Sequence, residues 1–462
     1  MEETEPQLTQ QHLIDALGQG EEDLARELVP QLHAADLAAA YEALRGEPAE
    51  VLLSLIPEER LADFVTQLPL TDAEEILIGL PDDRLSKVLD DIPDDILVDV
   101  LQEMPAEYRG HAFHLLSESR RKAARELLKF PDDSAGGRMT TAFASVRENM
   151  TIREAIEALR GIAEETEILS RIYVVDDEGL LLGKIRLRDL TFNRRSTHIQ
   201  ELNDHDTRAV LANADQEKAV RMMMKYDMVA LPVLDEDGRL LGVITHDDAL
   251  DIQQEENTED IELQSGISGE NTDETYLNTT VFNQVRRRIG WIISLAFIGL
   301  ISGTVMYSYQ GQISSLFALT IYMPMIVAAG GNTGGQASTM VVRAMSLGEL
   351  DAGSVLRVAW KELRIGLIMG GSVALAMVLQ IYFLRPASIQ VKPELLLGFA
   401  GTVGLALLVQ MTASTLIGAL LPLGARAIKL DPAVIASPAI TTIVDATGLL
   451  IYLNLAKAIL PL

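Results

Sequence analysis

Residues 432–460 read PAVIASPAITTIVDATGLLIYLNLAKAIL, with Asp445 near the middle of an otherwise apolar stretch. A membrane span needs about 20 such residues, so this segment can carry a carboxylate to the bilayer centre. A bare carboxylate there costs about 3 kcal/mol on insertion scales, and such groups face a bundle interior or a water-filled path. Two readings stay open at this point. Asp445 is either a structural acid, protonated or paired with a nearby Thr, or a ligand on an ion pathway.

The neighbouring sequence extends the membrane half. No charged residue occurs between Ile289 and Val342, which leaves room for two spans. Ile365–Leu384 and Leu395–Ala425 are two further uncharged runs, and the Asp445 segment is the fifth. Trp291 stands where an interfacial aromatic would. Arg286, Arg287, Arg288, Arg343, Arg357, Lys361, Arg364, Arg426 and Lys429 fall on one side of these spans. Arg385, Lys392 and Lys457 fall on the other. The positive-inside rule then puts the N-terminus in the cytoplasm and the C-terminus outside. Five spans argue against an internal two-fold repeat, and a homodimer is one way to build a symmetric pore.

The second span contains MPMIVAAGGNTGGQAST, residues 323–339. Pro324 removes a helical hydrogen bond. Gly330, Gly331, Gly334 and Gly335 let the backbone open or pack closely, and Asn332 adds a polar side chain. Irregular backbone at membrane depth survives only beside protein or a water-filled cavity. The alternative is a tight small-residue helix contact. Pro, paired Gly, Asn and Gln together favour a pathway lining.

Charge separates the two halves. Residues 276–462 hold twelve Lys and Arg against six Asp and Glu, a net of +6. The total of −29 therefore leaves −35 for residues 1–275. That acidity argues against nucleic acid, which needs a basic surface. It suits plain solubility, or oxygen ligands for Mg²⁺ or Ca²⁺. There is no cysteine, so disulfides, thiolate metal sites and Cys nucleophiles are excluded. The start MEETEPQLTQ is too acidic and polar for a signal peptide, so the soluble half is expected to stay in the cytoplasm. No Walker loop, zinc motif or nucleophile–base spacing occurs, and the seven His are scattered, so an enzyme is not expected.

In the soluble half, Pro57, Pro69, Pro81, Pro93 and Pro105 recur every twelve residues, each opening a segment such as LPDDRLSKVLDD or IPDDILVDVLQE. Pro is tolerated in the first helical turn and acids suit a helix N-terminus. Each unit is a short helix, and stacked short helices make a compact α-solenoid. Asp95 and Asp99 share one helix face, either a solvated acidic face or half of a cation site.

After Pro131 two segments share one layout: RIYVVDDEGLLLGKIRLRDL and MVALPVLDEDGRLLGVITHDDAL. DEG and DEDG are hairpin turns between apolar runs. An amphipathic stretch precedes each, TIREAIEALRGI and QEKAVRMMMKYD. The Met222–Met224 cluster reads as core and packing surface rather than a metal box. The duplicated unit resembles a tandem pair of cystathionine-β-synthase (CBS) domains. In that family a Gly-x-x-Thr/Ser-x-x-Asp signature closes an adenine-nucleotide site. Gly242, Thr245 and Asp248 match it in the second copy. The first copy has Gly183, Arg186 and Asp189, with Arg at the hydroxyl position. Beyond it, DIQQEENTEDIELQ starts as an acidic amphipathic helix. Glu256, Glu259 and Asp260 cluster there near the inner membrane surface, either as a plain charged helix or as ligands that a divalent cation would neutralise.

The order of parts resembles the MgtE magnesium-channel family over essentially the whole chain. FPDDSAGGRMT, EENTEDI, PMIVAAGGNTGGQAST and DPAVIASPAITTIVDATGLLIY carry the resemblance. It implies a multidomain membrane protein: an N-terminal all-α superhelical solenoid (1–135), CBS domains at 136–200 and 201–252, a connecting helix at 253–284 and a five-helix transmembrane domain at 285–462. It implies a homodimer in the plasma membrane, with a pore lined by spans two and five and a largely hydrated Mg²⁺ at Asp445. Asn332 and the backbone near Thr441 would bond the water shell. It also implies closure by intracellular Mg²⁺. The bridging acids would be Asp95 and Asp99; Asp227, Asp248 and Asp251; and Glu256, Glu259, Asp260 and Asp431. ATP is the nucleotide expected at the CBS site, where Asp189 is the first-copy counterpart. The alternative function is an ion-coupled divalent-cation transporter with Asp445 as the coupling carboxylate.

Overall fold

A computed structural model describes residues 5–44, 46–162, 166, 168–267, 279–350, 352–384, 391–428, 430–432 and 437–461. Arg385, Lys429 and part of the segment before Ser437 lie outside the described residues. The chain divides into two compact units, one over Met1–Gln254 and the other over most of the remainder.

The first unit opens with ten helices: α1 (Glu5–Gln19), α2 (Glu22–Leu28), α3 (Ala34–Ala43), α4 (Glu47–Leu55), α5 (Leu61–Val65), α6 (Leu70–Gly79), α7 (Asp82–Asp91), α8 (Asp94–Glu103), α9 (Ala106–Leu115) and α10 (Glu118–Leu127). The twelve-residue rhythm sets α6 to α9, but each Pro stands one residue before its helix rather than in the first turn. Pro69, Pro81, Pro93 and Pro105 are N-cap residues with ψ of 142, 150, 149 and 144°. An extended N-cap still offers its carbonyl to the first turn, as Pro93 O does to Leu97 N at 2.9 Å. The rhythm runs one unit further than the prolines do, because Ser117 caps α10 at the same spacing. Leu85, Val88, Leu89 and Ile92, then Leu97, Val98, Leu101 and Met104, enter a shared core. Burying each such side chain contributes about 1.5–3 kcal/mol.

The two repeats then share a topology. In the first, β1 (Phe143–Arg147) pairs parallel with β2 (Ile168–Val175), which pairs antiparallel with β3 (Leu181–Arg186). In the second, β4 (Val210–Leu211), β5 (Ala230–Leu234) and β6 (Leu240–Thr245) repeat that order. The crossovers carry α11 (Ile152–Arg160) and α13 (Gln216–Tyr226), and α12 (Leu187–Phe192) follows β3. Both hairpin turns use the same chemistry. Asp176 Oδ1 accepts from Leu180 N at 2.8 Å and Asp235 Oδ1 from Arg239 N at 2.8 Å, with Gly179 and Gly238 both at φ 87°. Met223 is core, whereas Met224 is exposed.

The segment FPDDSAGGRMT packs on the second repeat rather than the first. Ala135 N donates to Ala214 O at 2.7 Å, and Thr140 pairs with Val243. The core of the helical part is thereby continuous with that of the second repeat, through Ala135, Met139, Ala219 and Leu231. Helix α14 (His246–Gln264) follows β6 without a break.

The second unit holds α15 (Val281–Ser308), α16 (Gln310–Ser315), α17 (Ala318–Ser346), α18 (Val355–Leu384), α19 (Pro393–Ala427) and α20 (Ser437–Ile459). Four of these, α15, α18, α19 and α20, are long and apolar enough to cross a membrane. Helix α17 is long enough at 29 residues, but Gly, Asn, Thr and Gln dilute its apolar content. It is also the helix whose glycines were read as letting the backbone open or pack closely. It is unbroken from Ala318 to Ser346, with Pro324 inside it. Close packing of its small residues on α19 and α20 takes the place of an opening.

Candidate functional site

The segment GGNTGG divides into two faces of α17. A Cβ built on Gly330 would stand 2.4 Å from Gln410 Nε2, and one on Gly334 would stand 3.0 Å from Ile440 Cγ2. These glycines are contact points with α19 and α20, as small-residue packing requires. Gly331 and Gly335 point elsewhere. Nothing lies within 4 Å of a Cβ on Gly335, and one on Gly331 would be 3.4 Å from Thr441 Cγ2 and 4.0 Å from Asp445 Oδ1. Thr441 and Asp445 are one turn apart on α20 and share a face. Asn332, next to Gly331, is exposed, and Asp445 is half-buried. The sequence-selected residues Asn332, Thr441 and Asp445 therefore lie on two touching helices. Among the described residues Asp445 has no ion pair.

Two features of this unit were not read from the sequence. Gln410, the one amide in the uncharged run of α19, is fully buried and donates Nε2 to Val444 O at 2.8 Å. An amide in an apolar run was the available signal, and a search for charges passes over it. Helix α18 also begins ten residues before the uncharged run Ile365–Leu384. Glu362 is therefore a second buried acid of this unit, 8% exposed, two turns into the helix. Asp445 is thus not alone as a buried helical acid, although it is the one placed at mid-span.

In the first unit the predicted acids have different surroundings. Asp95 and Asp99 are half-buried on α8. Asp99 Oδ2 is 3.8 Å from Arg138, whose Nε donates to Gln216 Oε1 at 2.9 Å. Arg138 also acts on Asp251: burial and then Asp247 push that carboxyl up, and Arg138 pulls it down. A guanidinium from the chain itself thus stands between an acid of the helical part and an acid of α14. Asp227 is the left-handed C-cap of α13 at φ 50°, a conformation that Asp tolerates.

Asp248 is tied to the joint between β6 and α14. Its Oδ2 accepts from Thr245 N at 3.1 Å, and Asp248 N donates to Thr245 Oγ1 at 3.3 Å, a reciprocal cap. The Thr245 hydroxyl lies 2.5 Å from a carboxylate oxygen of both Asp247 and Asp248, and its one proton serves two acceptors. Burial pushes Asp248 above the usual carboxylate range, Thr245 pulls it down, and Asp247 and Asp251 add repulsion. Gly242 admits Thr140 O, 2.6 Å from where a Cβ would stand. In the first copy, Asp189 Oδ2 caps Arg186 N at 3.0 Å. In both copies the signature's acid caps the helix after the hairpin.

Glu256, Glu259 and Asp260 lie on the later turns of α14, and Asp431 is exposed after α19. Among the described residues no three acidic or His side chains converge as a ready metal cage. A neighbouring acid, Asp94, does something the spacing argument missed. It is 3% exposed and accepts from Arg120 on one oxygen and from Thr141 on the other. Asp94 therefore pins α8 to α10 and to the start of the first repeat.

Acid-rich helices, a duplicated β-α repeat and apolar helices long enough to cross a membrane together make the architecture of a multidomain membrane protein. Family models agree. The MgtE intracellular N domain matches residues 32–133, the CBS domain matches 135–194 and 199–255, and the MgtE divalent cation transporter matches 323–455. The magnesium transporter MgtE of Thermus thermophilus is 34% identical over 451 residues, covering 97% of this chain and 98% of that protein. That of Bacillus subtilis is 33% identical over 347 residues, 74% of this chain and 73% of that protein. A crystal structure of the cytosolic domain of the Mg²⁺ channel MgtE in complex with ATP is 37% identical, with a TM-score of 0.49, over 52% of this chain and 98% of that one. The chain belongs to the MgtE family of magnesium transporters.

Proposed function

We propose that the protein is a Mg²⁺-selective channel of the plasma membrane, closed by intracellular Mg²⁺. The observation that carries this reading is the approach of Thr441 and Asp445 on α20 to Gly331 on α17, the neighbour of Asn332 in sequence. Mg²⁺ dehydrates reluctantly and is held by one or two carboxylates through a retained water shell. Asp445 supplies one carboxylate and the second copy of a homodimer supplies another. The Asn332 amide and the backbone carbonyls near Thr441 bond the ion's waters, and Gly331 leaves room for them. The N-terminal and CBS parts are cytoplasmic, the helical part is a short solenoid, five spans cross the bilayer, and the C-terminus lies outside.

Closure follows from the acidity of the cytosolic part. Asp95 and Asp99 on α8, Asp227, Asp248 and Asp251 in the second repeat, and Glu256, Glu259, Asp260 and Asp431 near the membrane repel one another. Mg²⁺ between them removes that repulsion and lets the acidic surfaces pack. ATP binds at Gly242, Thr245 and Asp248, with Asp189 as the equivalent in the first copy. To do so it must compete with the capping bonds that Thr245 and Asp248 make to each other.

The test is single-channel current in liposome patches with Mg²⁺ as the permeant cation. Wild-type current should fall as cytosolic-face Mg²⁺ rises from micromolar to about 10 mM, within the weak range of carboxylate sites. Asp445→Ala should carry none. Mutant current equal to wild type removes Asp445 from the pathway. Flux that requires a second ion gradient replaces the channel with a coupled transporter.

A further inference from the structure

Gln410 is a buried polar group that neither the pore nor the gate described above uses. It lies mid-way along α19 with its side chain wholly covered. Its Nε2 donates to the carbonyl of Val444 at 2.8 Å, the residue that precedes Asp445. The amide sits between two glycines on different helices. A Cβ on Gly330 of α17 would be 2.4 Å from Nε2, and one on Gly448 of α20 would be 2.8 Å from it. Its Oε1 is buried with no hydrogen-bond partner among the described residues. Leucine would fill similar space without an unmet acceptor. What the position gains from an amide is therefore the donor aimed at Val444.

We propose that Gln410 is a positioning residue for the membrane ion site. Its amide fixes the Val444 carbonyl and the spacing of α17 and α20, and so sets the separation of Asn332 and Asp445. This rests on the reading of Asp445 as a pathway ligand. Val444 and Asp445 are consecutive, so a turn of α20 at Val444 turns the carboxylate with it. Gly330 and Gly331 are also consecutive, and the second faces Asp445 where the first abuts Gln410. A site that recognises a hydrated ion by size depends on that spacing, because ligand geometry must be held within about 0.5 Å. Removing the donor relaxes ion discrimination rather than conduction alone.

The experiment uses full-length protein in liposomes and measures the ratio of Mg²⁺ to Ca²⁺ current for wild type, Gln410→Leu, Gln410→Glu and Asp445→Ala. Gln410→Leu should lower the ratio about fivefold, the effect of losing roughly one neutral hydrogen bond. Gln410→Glu should match wild type at neutral pH, because burial keeps its carboxyl protonated and able to donate to Val444. A purely structural role would scale both currents equally and leave the ratio unchanged, which overturns the proposal. If Gln410→Leu does not fold, Gln410→Met, which also lacks the donor, decides: a ratio equal to wild type overturns it. Wild-type current through Asp445→Ala removes the pathway reading itself. Loss of current there, with an unchanged ratio in a Gln410 variant that lacks the donor, removes the positioning role alone.

Discussion

The two halves of the molecule treat buried acids in opposite ways. In the cytosolic part, Asp94 is enclosed and answered by Arg120 and Thr141. In the membrane part, Asp445 has no ion pair among the described residues, and the residue before it, Val444, takes a hydrogen bond from the neutral amide of Gln410. An acid that must stay charged in a folded joint needs a permanent counter-charge, because an uncompensated buried charge is costly. On the proposed reading Asp445 receives a cation, so that place cannot be held permanently by a buried arginine. The contrast then separates enclosed structural carboxylates from carboxylates open to an ion.

The sharpest way to break this contrast is Arg120→Met. Asp94 is then left buried at 4% side-chain exposure without its guanidinium. Breaking a buried pair from one side costs about 3–5 kcal/mol. For a unit of this size that lowers the melting temperature by roughly 10 °C. Calorimetry of the full-length protein in detergent measures it, and a change below about 2 °C, or less than 1 kcal/mol, would show that Asp94 does not depend on its counter-charge.

Arg138→Ala sharpens the contrast at the junction. The Arg138–Asp99 pair is only partly buried, at 24% and 20% side-chain exposure, so its loss is worth about 1 kcal/mol. Without Mg²⁺, amide exchange around Asp99 and Asp251 should rise roughly fivefold. Added Mg²⁺ should then restore protection, giving a larger Mg²⁺-dependent change than in wild type. An unchanged difference would mean that Arg138 does not share the acids' environment with the ion.

These contrasts also show what a sequence can disclose. Asn332, Thr441 and Asp445 were legible because polar groups are rare in apolar runs. The helical rhythm was legible because Pro marks it, although the chain continues the rhythm with Ser117 where Pro is absent. Asp95 and Asp99 stood out by their i,i+4 spacing, whereas Asp94, one residue away, faces the core and holds the joint. That difference is one of helical phase against neighbours that only the fold supplies. Arg138 was hidden for the same reason, since its partners Asp99 and Gln216 come from distant segments. Helix α17 was legible as a long helix from the uncharged run that contains it. Its unbroken backbone was not, because Gly and Pro permit an opening that close contacts with α19 and α20 make unnecessary.

The smallest expected effect concerns an acid that is neither deep nor ligand-like. Asp206, between the two repeats, accepts from Lys184 Nζ at 2.7 Å and from Arg208 Nε at 2.8 Å. Burial alone would raise its carboxyl, but the hydrogen bonds from Arg208 and Lys184 outweigh burial and hold it below the usual range. A carboxyl depressed in the folded state contributes stability above its unfolded value. That contribution is lost as pH falls through the usual carboxylate range toward the folded value. Lys184→Met should therefore lower the melting temperature at pH 7 by roughly 2–4 °C, the shift from about 1 kcal/mol. The unfolded carboxyl titrates alike in both proteins, so the deficit relative to wild type should shrink only at strongly acid pH, where the folded carboxyls protonate. A deficit unchanged down to the lowest pH at which both proteins fold would assign it to lost packing of the lysine stem. Asp206 would then fall outside the set of acids whose charge the cytosolic part compensates.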